Sequence, residues 1–222
     1  MTMKRFFSIL VFILIGPTLA ETSNVGSLTG TVRIFNKDGT PRKSHENAIV
    51  YIIGFKEDPA DEKPQVIQNK KKFKPNVLAI TKGQTVSFLN NDTVSHNIFS
   101  SSKSRKFDLG LASPPATHEV YFNKSGLVQT YCNIHPDMAA NILVLPNKAF
   151  AKTKKDGSFS INNIPVGEHK VYVWHKLTKP KYRKVKIEAN TKTTMNREVK
   201  LTKKLLSHKN KYGKRYKKGK KY

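Results

Sequence analysis

Short runs in which apolar and polar residues alternate recur along this chain, and turn signals separate them. Examples are residues 85–89, 141–145 and 170–174, and Asp156-Gly157 is a typical turn. Alternation with a period of two places every second side chain on one face of a strand, whereas an amphipathic helix needs a period of about 3.6. Helical periodicity is hard to find in the sequence. The pattern therefore predicts an all-β protein.

The N-terminus has the order of a secretory signal peptide, which we assign to residues 1–20. Lys4 and Arg5 precede a short apolar run, and Ala20 ends a cleavage site of small residues. We therefore expect cleavage before Glu21 and export to a periplasm. A retained N-terminal anchor is the alternative, although the apolar run is short for a membrane span.

Basic residues dominate the composition and are concentrated at the C-terminus. The chain has 41 Lys and Arg against 15 Asp and Glu, a formal net charge of +26. Residues 203–222 contain ten of these basic residues and no acidic residue, so residues 202–222 are predicted to be a disordered basic tail. Such a tail adds solubility, or it binds an anionic membrane surface or an acidic redox partner. Export argues against nucleic acid.

Cys132 is the only cysteine, and it stands among residues that bind soft metals. His135 and Met138 follow it at intervals of three residues, and His96 lies in an earlier segment. An unpaired cysteine in an exported protein is buried, paired between molecules or bound to a metal. Two histidines, one cysteine and a weak methionine are the ligands of a blue-copper electron-transfer site. The surroundings of Cys132 therefore favour a copper ion.

Other chemistries would use some of the same residues. A catalytic cysteine–histidine pair would leave Met138 and His96 unexplained. A structural zinc site prefers more thiolates and seldom uses methionine. A copper-binding module for trafficking or tolerance would use all four residues, and it differs from an electron carrier in the spectrum and redox behaviour of the copper-loaded protein.

Residues 65–146 resemble the cupredoxin family of blue-copper proteins. The resemblance rests on residues 90–97 and on the pattern Cys132-x-x-His135-x-x-Met138, whose spacing is that of an amicyanin-like ligand loop. It implies a cupredoxin Greek-key β-sandwich that binds one copper ion as Cu(I) or Cu(II).

The same resemblance implies roles for individual residues. The copper ligands would be His96, Cys132, His135 and Met138. Asn97 would donate its backbone N–H toward the Cys132 sulfur, and its side chain would link the two ligand-bearing loops. His135 would lie nearest the surface and serve as the electron exit.

Residues 26–55 and 148–201 resemble the small transthyretin-like, or carboxypeptidase regulatory-like, β-sandwich. The resemblance rests on an Asp-Gly-x-Pro turn that begins at Asp38 and on the Ala-x-Val-Tyr strand that follows it. It implies a discontinuous second domain into which the copper domain, residues 65–147, is inserted. In the alternative, residues 27–55 are extra strands of the copper domain. The whole chain also resembles small exported proteins described with methylamine utilisation.

Together these features predict an exported carrier of single electrons that is not an enzyme. The chain from Glu21 to Thr202 has 29 basic against 15 acidic residues. We therefore expect a redox partner with an acidic patch, such as a c-type cytochrome or a dehydrogenase, and association that weakens as salt rises.

Overall fold

The structure, a computed structural model, describes residues 24–202 and 208–216. The predicted signal peptide, residues 1–20, lies outside the described residues. The prediction of an all-β protein is confirmed, because the described residues form seventeen strands and no helix. Accordingly, no helix in these two ranges is long and apolar enough to cross a membrane.

The strands are numbered in chain order. The first nine are β1 (Val25–Phe35), β2 (Ile49–Ile53), β3 (Gln65–Asn69), β4 (Lys72–Lys74), β5 (Val77–Thr81), β6 (Thr85–Asn90), β7 (His96–Ser102), β8 (Arg105–Ala112) and β9 (Ala116–Tyr121). The others are β10 (Gly126–Cys132), β11 (Ala139–Leu145), β12 (Phe150–Lys152), β13 (Ser158–Pro165), β14 (Gly167–Trp174), β15 (Lys181–Ile187), β16 (Lys192–Thr194) and β17 (Arg197–Lys200).

Residues 65–145 form a two-layer sandwich, called here the metal sandwich. One layer has the strand order β5-β11-β10-β7-β8 and the other has the order β4-β3-β6-β9. Strand β11 runs parallel to β5, and β3 runs parallel to β6. Alternate residues of both layers meet in one apolar core, in which Phe88, Phe122 and Ile142 are fully buried. Cys132 and Met138 belong to the same core, so the predicted ligand loop closes one end of it.

Residues 25–53 and 150–200 form a second two-layer sandwich, called here the split sandwich. One layer has the order β13-β1-β16, with β17 also paired to β1, and the other has the order β12-β2-β14-β15. Strands β1 and β2 precede the metal sandwich in the chain, and the strands paired with them follow it. At Gly30, where φ is +153°, a Cβ atom would collide with the backbone carbonyl of Met195. Only glycine allows this close approach between neighbouring strands.

The two sandwiches are joined by a third apolar cluster. Its buried members are Ile49 and Trp174 of the split sandwich and Val77, Leu143 and Leu145 of the metal sandwich. The connecting segment at residues 56–64 is also held in place, because the Gln84 side-chain amide donates hydrogen bonds to the carbonyls of Ala60 and Glu62. The fold therefore fixes the metal sandwich at both of its chain ends.

Candidate metal centre

The predicted ligand loop connects two neighbouring antiparallel strands. Strand β10 ends at Cys132 and β11 begins at Ala139, so the loop is short and its ends are paired. Two backbone hydrogen bonds tighten it: Cys132 N–H donates to the Met138 carbonyl at 3.1 Å, and Met138 N–H donates to the His135 carbonyl at 3.1 Å. A third bond, from Asn133 N–H to the Asn97 carbonyl at 3.0 Å, ties the loop to β7.

Three of the four predicted ligands converge on one point. His96 Nδ1 lies 3.1 Å from His135 Nδ1, and the Cys132 Sγ lies 3.8 Å from the first nitrogen and 3.6 Å from the second. A point equidistant from these three atoms is about 2.0 Å from each, which matches metal–nitrogen and metal–sulfur bonds of roughly 2.0–2.3 Å. The three side chains could therefore hold one metal ion.

Burial differs among the predicted ligands. His96 and Cys132 have no exposed surface, and Met138 is 1% exposed. His135 is only half-buried, so it is the candidate ligand nearest to solvent. Met138 packs in the same apolar cluster as Cys132. The arrangement leaves one imidazole as the contact between the centre and the surface.

Asp92 holds the His96 ring by the nitrogen that does not face Cys132 and His135. Its Oδ2 atom lies 3.0 Å from His96 Nε2, which leaves Nδ1 facing Cys132 and His135. Burial alone would raise the pKa of Asp92. Hydrogen bonds from the backbone N–H groups of Lys71 and Thr93 and from His96 outweigh burial and lower the pKa to about 2. Such a carboxylate fixes the orientation of a metal-binding histidine and increases its basicity.

The sequence-based interpretation included Asp92 in its motif but gave it no role. The available signal was an acidic residue four positions before a predicted histidine ligand.

The surroundings of Cys132 favour its thiolate form. Burial raises the pKa of the thiol, but hydrogen bonds from His96 and from the backbone N–H groups of Ile134, Asn97 and His135 outweigh burial and lower it. The pKa of His135 is lowered by burial and by the charges of His96 and Lys71. A thiolate and a neutral imidazole are the protonation states in which these side chains bind metals.

Asn97 differs in part from its expected role. Its backbone N–H points to the Cys132 sulfur, as expected. Its side chain does not link the two loops, because the amide nitrogen donates to Asp108 Oδ1 and to the Gly110 carbonyl, each at 2.7 Å. The loops are instead linked by the Asn97 carbonyl, and the bulge between β7 and β8 at this point turns the side chain toward β8.

Residues 208–216, called here the C-terminal segment, lie against the ligand loop. The Tyr216 hydroxyl donates to the Cys132 carbonyl at 2.9 Å, and Lys211 N–H donates to Asn133 Oδ1 at 3.0 Å. The Lys211 ammonium lies 2.6 Å from Asp108 Oδ2. The His208 ring stacks on Tyr131, with ring centroids 4.3 Å apart.

These nine residues belong to the predicted basic tail, residues 202–222, and they contact the metal sandwich. Aromatic rings spaced along the basic segment supply apolar contacts that a prediction based on charge alone overlooks.

Comparisons with known proteins found similarities among solved structures alone. No protein-family model and no curated protein matches the sequence. Among solved structures, the chain is similar to a purple cupredoxin from Nitrosopumilus maritimus, at 28% identity and a TM-score of 0.34, over 37% of this chain and 99% of the other. It is also similar to a reduced amicyanin mutant, at 21% identity and a TM-score of 0.35, over 42% and 98% of the two chains.

A third similar structure is the Cu-containing nitrite reductase from Thermus scotoductus SA-01, at 23% identity and a TM-score of 0.36. That match covers 42% of this chain but only 25% of the reductase.

Proposed function

We propose that this protein is an exported type 1 copper protein that carries single electrons between redox partners. His96, Cys132 and His135 would hold the ion, and Met138 would be a fourth, weaker ligand. The observation that carries the proposal is the triangle of ligand atoms, whose size and composition suit one metal ion. One thiolate, two imidazoles and a nearby thioether favour copper over zinc, which prefers more thiolates and seldom uses methionine.

When bound, a copper ion supplies reversible one-electron chemistry. The chain's contribution is to keep the donor atoms in one place in both oxidation states. The hydrogen bonds within the ligand loop, the Asn133–Asn97 link and the Asp92–His96 contact all resist movement of the ligands. Because the donor atoms stay in place, the reorganisation energy of electron transfer is small and the transfer is fast.

We also propose that the protein is a carrier and not an enzyme. The predicted ligand set uses four protein groups, and three of the four side chains are buried. A substrate would need an open position on the metal, as catalytic metal sites provide. Electrons would instead pass through the half-buried His135 ring to a partner such as a c-type cytochrome or a dehydrogenase.

The absorption spectrum of the copper-loaded protein, compared with that of Cys132→Ser, tests the proposal. We expect an intense visible thiolate-to-copper charge-transfer band that is bleached by a reductant and restored by an oxidant. Cys132→Ser should lack the band because it lacks the thiolate. A colourless protein that holds only Cu(I) would support trafficking or tolerance instead, and a preference for zinc would support a structural site.

We propose a periplasmic location and a discontinuous second domain, residues 26–55 and 148–201, around the copper domain at residues 65–147. The strand pairing supports the second proposal, since β1 and β2 pair with strands that begin at Phe150 or later. Export predicts a mature protein that begins at Glu21. Mass spectrometry of the protein from a periplasmic extract measures this, and an uncleaved chain in the membrane fraction would contradict it.

A further inference from the structure

The C-terminal segment contacts both parts of the chain that carry predicted ligands. Tyr216 and Lys211 bind the ligand loop at Cys132 and Asn133. The Lys211 ammonium also binds Asp108, the carboxylate that receives a hydrogen bond from Asn97 beside His96. Any molecule that binds this segment therefore sits next to the candidate metal centre.

The charges of this segment are unbalanced. Lys209, Lys214 and Arg215 are exposed, and within residues 24–202 and 208–216 none of the three takes part in an ion pair. Lys211, by contrast, is neutralised by Asp108. Charges interact over about 10 Å at 0.1 M salt, so these three cations act together on an approaching anion.

One exposed aromatic residue lies within the segment, and one exposed apolar residue lies on β8, the strand whose Asp108 binds Lys211. Tyr212 is 72% exposed, and its ring packs under the Lys211 ammonium. Leu111 is 69% exposed and lies opposite Asn97 in the β7–β8 pair. Protein–protein interfaces combine an apolar or aromatic centre with a charged rim, and tyrosine is enriched in them.

We propose that the C-terminal segment, residues 208–216, is the docking surface for an acidic patch on a redox protein. This proposal rests on the proposed function and names the surface at which that function is exercised. Docking here would bring the partner's cofactor close to the ligand loop, which also carries His135, the proposed electron exit. An anionic membrane would also attract these cations. Membrane binding, however, does not require the segment to be attached to the ligand loop, so the structure favours a protein partner.

Charge reversal in the segment tests the proposal. The test variant is Lys209→Glu with Lys214→Glu and Arg215→Glu. The control variant is Lys181→Glu with Arg183→Glu and Lys192→Glu, three exposed residues of the split sandwich, which changes the net charge equally. Four probes are used. Hexacyanoferrate(III) and a cationic cobalt(III) complex oxidise the Cu(I) protein, polyglutamate is used in NMR titrations of the metal-free protein, and phosphatidylserine vesicles are used in binding measurements.

In the wild type, polyglutamate should shift the resonances of residues 208–216 and of Leu111. The test variant should lose these shifts, and hexacyanoferrate(III) should oxidise it about tenfold more slowly at low salt, with a weaker salt dependence. The control variant should keep the shifts and change in rate by less than about twofold, since its three charges lie on strands of the other sandwich.

Three results would overturn the proposal. Equal slowing of both variants would show that only net charge matters. Faster oxidation of the test variant by both hexacyanoferrate(III) and a cationic cobalt(III) complex would show that the segment shields the centre. If the test variant lost binding to phosphatidylserine vesicles but kept the polyglutamate-induced shifts of the wild type, the segment would be assigned to membrane binding.

The two proposals fail separately. A colourless wild-type protein would end the electron-carrier proposal, whereas the polyglutamate titration of the metal-free protein would still report on docking. A normal spectrum with no segment-specific effect would end the docking proposal alone.

Discussion

The two sandwiches each bury one histidine among the described residues, and the surroundings of these histidines are opposite. His96 in the metal sandwich lies between the Asp92 carboxylate and the Cys132 thiol. Burial disfavours its charged form, but hydrogen bonds to these two groups outweigh burial and raise its pKa. His175 in the split sandwich is 5% exposed, and burial together with the charges of Lys176 and Arg42 lowers its pKa to about 4.

The difference shows that burial alone does not make a histidine a functional residue. The ring of His175 accepts a hydrogen bond from the Leu177 N–H and shapes the end of β14, which is a structural role. The ring of His96 has a carboxylate on one nitrogen and a thiol and a second imidazole near the other. Convergence of several donor atoms on one point separates the candidate site from the structural residue.

The largest predicted effect concerns His175. Its folded-state pKa of about 4 is below the ordinary value of 6.5, so the unfolded chain binds more protons between these pH values. The stabilisation is therefore complete above pH 6.5 and is lost as the pH falls toward 4, by roughly 3 kcal/mol.

Urea unfolding of the metal-free protein at several pH values measures this. His175→Asn keeps an acceptor near the Leu177 N–H but does not titrate, so its stability should vary less with pH than that of the wild type. Parallel pH profiles for the two proteins would contradict the prediction.

The second-largest predicted effect is on copper affinity and concerns Asp92, whose carboxylate contacts His96. Asp92→Asn keeps the shape and an acceptor oxygen but removes the charge, and it should weaken copper binding about 10- to 100-fold. A chelator competition titration measures the affinity.

Asp156→Asn is the matched control. Asp156 lies in the split sandwich, and hydrogen bonds from Ser158 likewise lower its pKa. This variant should bind copper as the wild type does. If both variants lost affinity equally, the effect would be one of stability and not of ligand orientation.

The smallest effect concerns the bond between the C-terminal segment and the ligand loop. Tyr216→Phe removes the hydroxyl that donates to the Cys132 carbonyl, a loss of about 1 kcal/mol. Amide hydrogen exchange in residues 132–138 should accelerate about fivefold in the metal-free protein. Tyr212→Phe, at a residue 72% exposed, should leave exchange unchanged. Unchanged exchange in both variants would show that the loop does not depend on the segment.

Sequence reasoning found all four candidate ligands, including His96 in an earlier segment. Cys132, His135 and Met138 could be predicted because one short loop carries all three. Asp92 could not be assigned, since its role depends on how the segment before β7 folds back on His96. The split sandwich shows the same limit, because the burial of His175 also depends on tertiary packing.

The contacts of the C-terminal segment could not be predicted, for a different physical reason. Net charge is a sum over many residues, whereas the observed contacts depend on three residues: His208, Lys211 and Tyr216. Each meets a specific partner on the metal sandwich, and no count of lysines contains that information.

The pairing of Tyr51 with Phe150 has a consequence for how the protein folds. The chain leaves the split sandwich after β2 and returns beside it at β12, so the intervening metal sandwich is a closed loop of about a hundred residues. Closing a flexible loop of that length costs roughly 4 kcal/mol of chain entropy. A folded metal sandwich brings its own ends together and removes this cost. A metal ion that stabilises one sandwich should therefore stabilise the other, which it never touches, and the split sandwich should assemble last during synthesis.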